Sequence, residues 1–154
     1  PFDVGTDFWR EEVRIGRLKR PRIDVFLGHY LSLQKGEDIP LTELFQEFKK
    51  FAAERPDKSI EWHLNAFHRY AQHFARFQNP PEDTREGIFF DRLKAMDTMT
   101  VYPFRLGLYE ATDDEAERVG VLEDLESFLI RRMVCGLTTK NYNRLFLDLI
   151  SALP

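Results

Sequence analysis

Hydrophobic residues recur at helical spacing along most of the chain. Between positions 41 and 52 they fall at i, i+3, i+4, i+7, i+10 and i+11, which forms one apolar stripe opposite a charged face. From about Ser59 to Gln78 two apolar stripes run along one segment, a pattern typical of a central helix. No stretch alternates apolar and polar residues clearly enough to indicate paired strands. We therefore expect helices and no strand hairpin.

Helix boundaries are marked by glycine, proline and capping residues. Gly36 stands where a left-handed cap would end a helix, and Pro40 suits the first turn of the next one. Gly136 closes the longest helix, and Thr138 or Thr139 is expected to cap the last one. The predicted helices lie at about 23–34, 41–52, 59–78, 84–97, 103–111, 113–135 and 141–153. The fold prediction is all-α, a single bundle-like domain of about seven helices without significant sheet.

Length and composition indicate one packed domain over residues 1–154. The chain is 43% hydrophobic and includes fourteen Phe, which supplies a core and excludes a disordered chain. We divide the domain into a basic amino-terminal segment (1–22), helices one to five (23–112) and a terminal helical pair (113–154). Because the numbering begins at Pro1 rather than at Met, and the last helix stops at Pro154, we expect an excised fragment of a larger protein.

Composition also limits the compartment and the partners. A net charge of -4 differs from the strongly basic balance of many nucleic-acid-binding domains. The single cysteine, Cys135, excludes an internal disulfide and, with no apolar signal region, predicts the reducing cytosol. No apolar run approaches the ~20 residues that span a bilayer. We therefore expect a cytoplasmic protein without a membrane partner.

Charge is unevenly distributed along the chain. Residues 110–126 hold eight acids against one Arg, whereas residues 14–22 hold five cations and no acid. One interpretation is that the basic run contacts a nucleic-acid backbone, since clustered cations release counterions on binding phosphate. The other interpretation, which we favour, is that it pairs with the acidic helix, in this domain or in a neighbouring one. The five cations are Arg14, Arg17, Lys19, Arg20 and Arg22.

A second group of candidate contact residues lies at the turn between the last two helices. Arg131 and Arg132 lie about 100° apart on a helix, so one can pack against the protein while the other faces out. We favour a structural role, in which an Arg binds an acid or the carbonyl groups of the turn. Contact with nucleic acid or with another domain is the alternative, and Lys140 and Asn143 share this uncertainty.

Residues that carry catalysis elsewhere are not arranged for it here. His63, His68 and His73 are five residues apart on one predicted helix, so they point in three directions and cannot share a metal. The eight glycines are scattered singly, which excludes a glycine-rich phosphate loop. Cys135 is predicted to be a small buried apolar residue rather than a nucleophile. We expect no catalytic residue, metal or cofactor in this chain.

The segment from Leu125 to Ile150 carries a family resemblance. A strongly apolar helix ends in an Arg pair and a Cys-Gly-Leu turn, and a short polar stretch then leads into a second apolar helix. In its residue types and their order this segment resembles the helical region of GmrSD-type modification-dependent restriction endonucleases. The residues that carry it are Arg131, Arg132, Cys135, Gly136, Leu137, Thr139, Lys140, Asn143, Leu145, Phe146 and Leu149, and near the amino terminus Phe8, Trp9, Gly16, Arg17, Phe26, Leu27 and residues 29–31.

The resemblance implies two catalytic domains that lie outside this chain. Members of the family have an amino-terminal nucleotide-hydrolysing domain of ParB-like type and a carboxy-terminal nuclease of the His-Asn-His kind. The chain lacks the Asp-Gly and Gln-Arg signature of the nucleotide-hydrolysing domain. It has no histidine after His73, so the carboxy-terminal nuclease, which needs histidine, is absent from it as well. The expected function is a non-catalytic linker or scaffold that positions these flanking domains in a phage-defence enzyme whose substrate is DNA.

Two other functions stay open. A stand-alone protein- or nucleic-acid-binding module would use the segment from Arg14 to Arg22 and exposed aromatic residues such as Trp9, Phe89 or Phe90. A small enzyme with an unfamiliar helical pocket is the third hypothesis. An exposed apolar patch larger than a few hundred Å² would indicate a missing domain partner, whereas a basic groove flanked by aromatic rings would indicate nucleic-acid binding.

Overall fold

The computed structural model describes residues 5–15, 18–79, 83–96 and 98–153. Within these residues the chain forms eight α-helices, one 3-10 turn at Met99–Val101 and one two-stranded sheet. The helices are α1 (Thr6–Arg10), α2 (Arg22–Lys35), α3 (Leu44–Ala53), α4 (Ile60–Gln78), α5 (Arg85–Ala95), α6 (Tyr102–Ala111), α7 (Glu115–Val134) and α8 (Tyr142–Ile150), and the strands are β1 (Glu12–Ile15) and β2 (Leu18–Pro21). The prediction of a predominantly α-helical domain is confirmed.

The amino-terminal segment differs from the prediction. It contains α1, followed by β1 and β2, which pair antiparallel with Val13 opposite Arg20. The expectation of no hairpin is therefore wrong at this place, and α1 is a helix that the sequence pattern did not predict. Val13 and Ile15 pack against the core, while the alternate residues of β1, Glu12 and Arg14, are exposed. Four residues give too short an alternation for the pattern to indicate a strand.

α2 lies at the centre of the domain. It packs against α1, α3, α4, α6 and α8, while α7 packs against α5. About half of the buried hydrophobic residues are aromatic: the rings of Phe26 and Phe74 lie 5.5 Å apart, and the ring of Tyr30 lies 5.2 Å from that of Tyr70. Such tilted and edge-to-face pairs add to the free energy gained by burying the rings. One charged side chain, Arg105 of α6, is enclosed by this core.

The first half of α4 is more exposed than its pattern predicts. Ala66, Tyr70 and Phe74 are buried, but Ile60 is 80% exposed and Leu64 is 59% exposed. The interpretation of α4 as a helix buried on two faces is therefore wrong over its first turns. α3 begins at Leu44, later than predicted, so its proline lies before the helix rather than in its first turn. Together α3 and α4 leave an apolar groove at the surface.

The ends of α2 and α7 follow the predicted glycine caps. Gly36 and Gly136 both have positive φ, 68° and 63°, which glycine adopts without strain. At the end of α7 the Gly136 amide donates to the Met133 carbonyl at 3.0 Å, and the Leu137 amide donates to the Arg132 carbonyl at 2.9 Å. This pair of bonds is a Schellman motif. The predicted threonine cap of α8 is wrong, because Asn141 occupies that position.

Candidate interaction surfaces

Arg22 of the basic segment has a structural role. Its guanidinium forms an ion pair with Glu11 at 2.8 Å and donates to the Phe8 carbonyl at 3.1 Å. The guanidinium carbon also lies 4.1 Å from the centre of the Phe8 ring. These contacts join α1 to the start of α2. Arg22 is therefore already occupied within the domain.

The other cations of this segment lie on the hairpin. Arg14 and Lys19 are exposed, and Arg20 is half-buried. Arg17 lies outside the described residues. The hairpin thus places at least two cations, Arg14 and Lys19, at the surface, where a phosphate backbone could reach them.

The acidic helix pairs with cations from other parts of the chain. Glu126 of α7 is buried and accepts hydrogen bonds from Arg85 and from Arg92, the latter at 2.8 Å, and Glu123 accepts from Arg85 at 3.0 Å. Burial raises the pKa of Glu126, but the hydrogen bonds from the two arginines outweigh it and hold this pKa below its ordinary value. These pairs tie α7 to α5 rather than to the basic segment.

A cavity of about 620 Å³ opens beside the hairpin. Arg14 and Lys94 bring positive charge to its wall, and the rings of Phe8 and Tyr102 bring aromatic surface. Gln78 also lines it, and its amide donates to the Tyr102 hydroxyl at 3.1 Å. Cations beside aromatic rings are what the nucleic-acid hypothesis requires.

The residues of the α7–α8 turn divide in a similar way. Arg132 donates to the Thr138 carbonyl at 2.8 Å, and its guanidinium carbon lies 5.4 Å from the centre of the Tyr142 ring. The structural role that we favoured for one arginine is therefore found for Arg132, while Arg131 is exposed. Lys140 is exposed as well. The Asn143 amide donates to Asp38 at 2.7 Å, which holds α8 to the loop after α2.

The end of α7 exposes an apolar surface. Ile130, Met133, Val134 and Leu137 are all exposed, with Val134 at 78% and Met133 at 59%. Ile130, Met133 and Val134 stand at i, i+3 and i+4, the spacing by which a helix normally packs against a neighbour, and Leu137 lies in the turn after α7 ends. We call these four residues the α7 corner. Cys135 lies among them and is exposed, so the prediction of a buried cysteine is wrong.

A second apolar surface lies between α3 and α4. A groove of about 220 Å³ is lined by leucine and phenylalanine side chains of α2, α3 and α4. Phe45 forms its rim and is 70% exposed, and Leu64 is exposed on the neighbouring helix. The lining residues of this α3–α4 groove are Leu27, Leu31, Leu44, Phe45, Phe48 and Phe67.

The aromatic residues of the stand-alone hypothesis are not at the surface. Phe89 and Phe90 are buried in the core, so the prediction that they are exposed is wrong. Both lie on the side of α5 that faces the core. Trp9 is half-buried, and its ring lies 5.5 Å from that of Phe26 and 6.1 Å from that of Phe74.

The histidines of α4 occupy three separate environments, as the five-residue spacing predicts. His63 is buried, and His68 is exposed beside Gln72 at 2.9 Å. His73 lies 3.6 Å from Glu110, but burial holds the pKa of His73 below its ordinary value against the opposing effect of that carboxylate. In the part of the chain that the structure describes, no three His, Cys, Asp or Glu side chains are grouped to hold a metal ion.

The two apolar surfaces are the features that the sequence reasoning missed. For the first, the spacing of Ile130, Met133 and Val134 indicates a face that packs against a neighbour, but not which neighbour covers it. For the α3–α4 groove, Phe45 and Leu64 belong to apolar stripes whose later residues, Phe51 and Phe74, are buried, so no local pattern indicates their exposure.

Comparisons of the chain with family models, with curated proteins and with solved structures give no match. The resemblance to the GmrSD-type helical region therefore stays a prediction. Among the described helices none is both long enough and apolar enough to cross a membrane.

Proposed function

We propose that this domain is a non-catalytic helical scaffold that holds two neighbouring domains in a fixed relation. The proposal is carried by one observation: the described residues include at least two separate uncovered apolar surfaces, the α7 corner and the α3–α4 groove. Exposed apolar patches of this kind are typical of contact sites for another protein or domain. A scaffold between two domains needs two such contacts.

The neighbours that we propose are the nucleotide-hydrolysing domain and the nuclease domain that the resemblance implies. Helices packed around a dense aromatic core deform little, so a displacement at one docked domain would be transmitted to the other. The proposal includes a cytosolic location and a DNA substrate for the whole enzyme. The single cysteine supports the first, and the resemblance supports the second.

The test uses the complete polypeptide that the gene encodes. A photoreactive benzoylphenylalanine is placed at Phe45 in the groove, at Val134 in the corner, and at Ile88 of α5 as a control that is exposed and apolar but lies in neither surface. After irradiation, mass spectrometry locates the cross-links. The scaffold predicts cross-links from positions 45 and 134 to two different flanking domains and none from position 88. Cross-links from both surfaces to one domain, or from neither, would contradict it.

A second function is favoured by the hairpin and the cavity beside it. Exposed cations at Arg14 and Lys19, and the rings of Phe8 and Tyr102 in the cavity wall, suit a nucleic-acid backbone with a base against the rings. In this function the domain would itself contact DNA.

A further inference from the structure

The α7 corner joins apolar surface to positive charge. Residues 127–147 contain four cations and no acid. Three of these cations, Arg131, Lys140 and Arg144, are exposed, and Arg131 and Lys140 lie close in sequence to Ile130 and Leu137. The fourth, Arg132, is held by the turn carbonyl and the Tyr142 ring but keeps its charge. A partner for this surface needs apolar side chains at its centre and negative charge at its edge.

Two carboxylates, Asp148 and Asp38, contact side chains of α8 and offset part of this charge. Asp148 lies 3.8 Å from Arg144, one turn away on α8, a solvent-exposed pair of the kind that contributes little. Asp38 is occupied by the Asn143 amide. Arg131 and Lys140, which are both exposed, are thus the cations that we expect a partner to contact.

We propose that the α7 corner docks an acidic amphipathic helix, whose apolar stripe packs on Ile130, Met133, Val134 and Leu137 while its glutamates or aspartates meet Arg131 and Lys140. The inference rests on the proposed function and adds the chemistry of one partner. Ile130, Met133 and Val134, at i, i+3 and i+4 on α7, present a ridge that fits the groove of a single neighbouring helix, and Leu137 follows in the turn. Complementary charge at the edge then fixes the orientation and the choice of partner.

The apolar centre distinguishes this partner from other anions. A nucleic-acid backbone would set phosphates against Val134 and Met133, which offer no hydrogen bonds. A membrane-binding surface typically adds Trp or Phe to its leucines. The four residues of the corner are all aliphatic or Met, and the nearest ring of the turn, Tyr142, is buried. A protein helix satisfies both the apolar and the charged part of the surface.

The size of the corner predicts weak binding of a free helix. Four side chains make a patch of a few hundred Å² at most, well below the ~800 Å² per partner of a typical stable complex. An acidic helix in the same polypeptide would still remain docked, because tethering gives it a millimolar effective concentration. The experiment therefore compares affinities rather than seeking a tight complex.

The experiment titrates the 154-residue chain into two synthetic fluorescent helices of about 20 residues. Both peptides carry leucines at i, i+3, i+4 and i+7; one has glutamates on its flanks, and the other has lysines at the same places. We expect the glutamate peptide to bind at least about tenfold more tightly at low salt, and to lose this preference at high salt. Because Cys135 is the only cysteine, its rate of alkylation reports occupancy without any substitution, and the glutamate peptide should lower that rate.

Two variants of the corner locate the contact. Val134→Asp should weaken the glutamate peptide at least about tenfold, and the double substitution Arg131→Glu and Lys140→Glu should reverse the preference between the peptides. Ile88→Asp and the double substitution Lys49→Glu and Lys58→Glu are the matched controls and should change neither affinity. The corner variants replace exposed side chains, and a thermal unfolding curve verifies that each one is folded.

The outcomes separate the inference from the proposed function. Equal binding of the two peptides, both weakened by Val134→Asp, would overturn the acidic partner and leave docking at the corner in place. Sedimentation with phosphatidylserine vesicles without peptide binding would overturn it in favour of a membrane surface. If neither peptide nor vesicle binds while position 134 still cross-links, the inference fails alone; if position 134 also fails to cross-link, the scaffold fails with it.

Discussion

The guanidinium carbon of Arg105 lies 3.8 Å from the centre of the Phe90 ring. It also lies 4.0 Å from the centre of the Phe77 ring, and the side chain is 1% exposed. Its Nε and Nη2 atoms have no hydrogen-bond partner among the described residues. Burial lowers the pKa of Arg105 to about 10, against the opposing effects of Tyr102 and Glu86. A cation thus fills a space in the core that is otherwise aromatic.

Replacement of Arg105 by methionine should leave the free energy of unfolding unchanged or raise it. Methionine has a similar volume and removes the desolvated charge, a change that is often neutral or stabilising. Arg105→Ala should instead lower the free energy of unfolding by about 2–5 kcal/mol, because it leaves a cavity between the rings. Urea unfolding of both variants measures the difference. Equal losses in the two would mean that the guanidinium makes a polar contact that the fold requires.

His29 should make the domain less stable in mild acid. Burial, assisted by the charge of Arg105, lowers the pKa of His29 to about 4, and its ring is stacked 5.2 Å from that of Tyr102. Between pH 6.5 and 4 the unfolded chain therefore takes up a proton that the folded chain does not. The free energy of unfolding therefore has its full value, as far as His29 is concerned, above pH 6.5. It falls by about 1.4 kcal/mol for each pH unit below that, down to about pH 4.

The measurement compares urea unfolding of the wild type and of His29→Leu at pH 7 and pH 5. The variant lacks this proton uptake, so its stability should fall less, by roughly 1–2 kcal/mol over the interval. His73, whose pKa is also lowered by burial, contributes in the same direction and remains in both proteins. The same pH slope in both proteins would show that His29 is protonated in the folded state.

Glu126 should be the most important carboxylate for the contact between α5 and α7. It is 3% exposed and binds Arg85 and Arg92 together. Glu126→Gln removes the charge but keeps the shape, and we expect the free energy of unfolding to fall by about 1–3 kcal/mol. Glu115→Gln, at an exposed position in the first turn of the same helix, is the control and should have a much smaller effect. A decrease in the free energy of unfolding of less than about 0.5 kcal/mol would mean that apolar packing, rather than Glu126, stabilises the contact between α5 and α7.

The helices were predictable because their signals are local. Caps such as Gly36 and Gly136 and stripes of period 3.6 depend on neighbours within one or two turns. The pairing of β1 with β2 was not predictable in this way, since the strands, with Val13 opposite Arg20, are stabilised by packing of Val13 and Ile15 on a core formed by distant residues. Tertiary packing also explains why Phe90 of α5 is buried against Arg105 of α6. No local sequence pattern links these two residues.

The candidate surfaces depend even more on tertiary structure. Whether Val134 or Phe45 is covered is decided by the length and direction of neighbouring helices, and the sequence gives neither. Cys135 was predicted to be buried from its apolar neighbours, yet the same neighbours are exposed with it. The role of Arg132 at the turn was predictable, because the carbonyl that it binds is only six residues away.

Contact of the hairpin with DNA predicts a specific loss on charge reversal. Arg14→Glu combined with Lys19→Glu should weaken binding of the 154-residue chain to duplex DNA by at least about tenfold at low salt, because two phosphate contacts become repulsive. It should also reduce the dependence of the binding constant on salt, since fewer counterions are released. Fluorescence anisotropy over a series of salt concentrations measures both quantities.

The control for this prediction reverses two cations elsewhere, Lys49→Glu and Lys58→Glu, which gives the same net charge on a different face. Binding that falls equally in both double variants would reflect net charge alone, because long-range attraction to DNA does not depend on which face carries the cations. Loss confined to the hairpin variant would place the phosphate contact at β1 and β2. If the unchanged chain shows no binding even at low salt, the hairpin is not a DNA contact, and the scaffold then acts without touching the substrate.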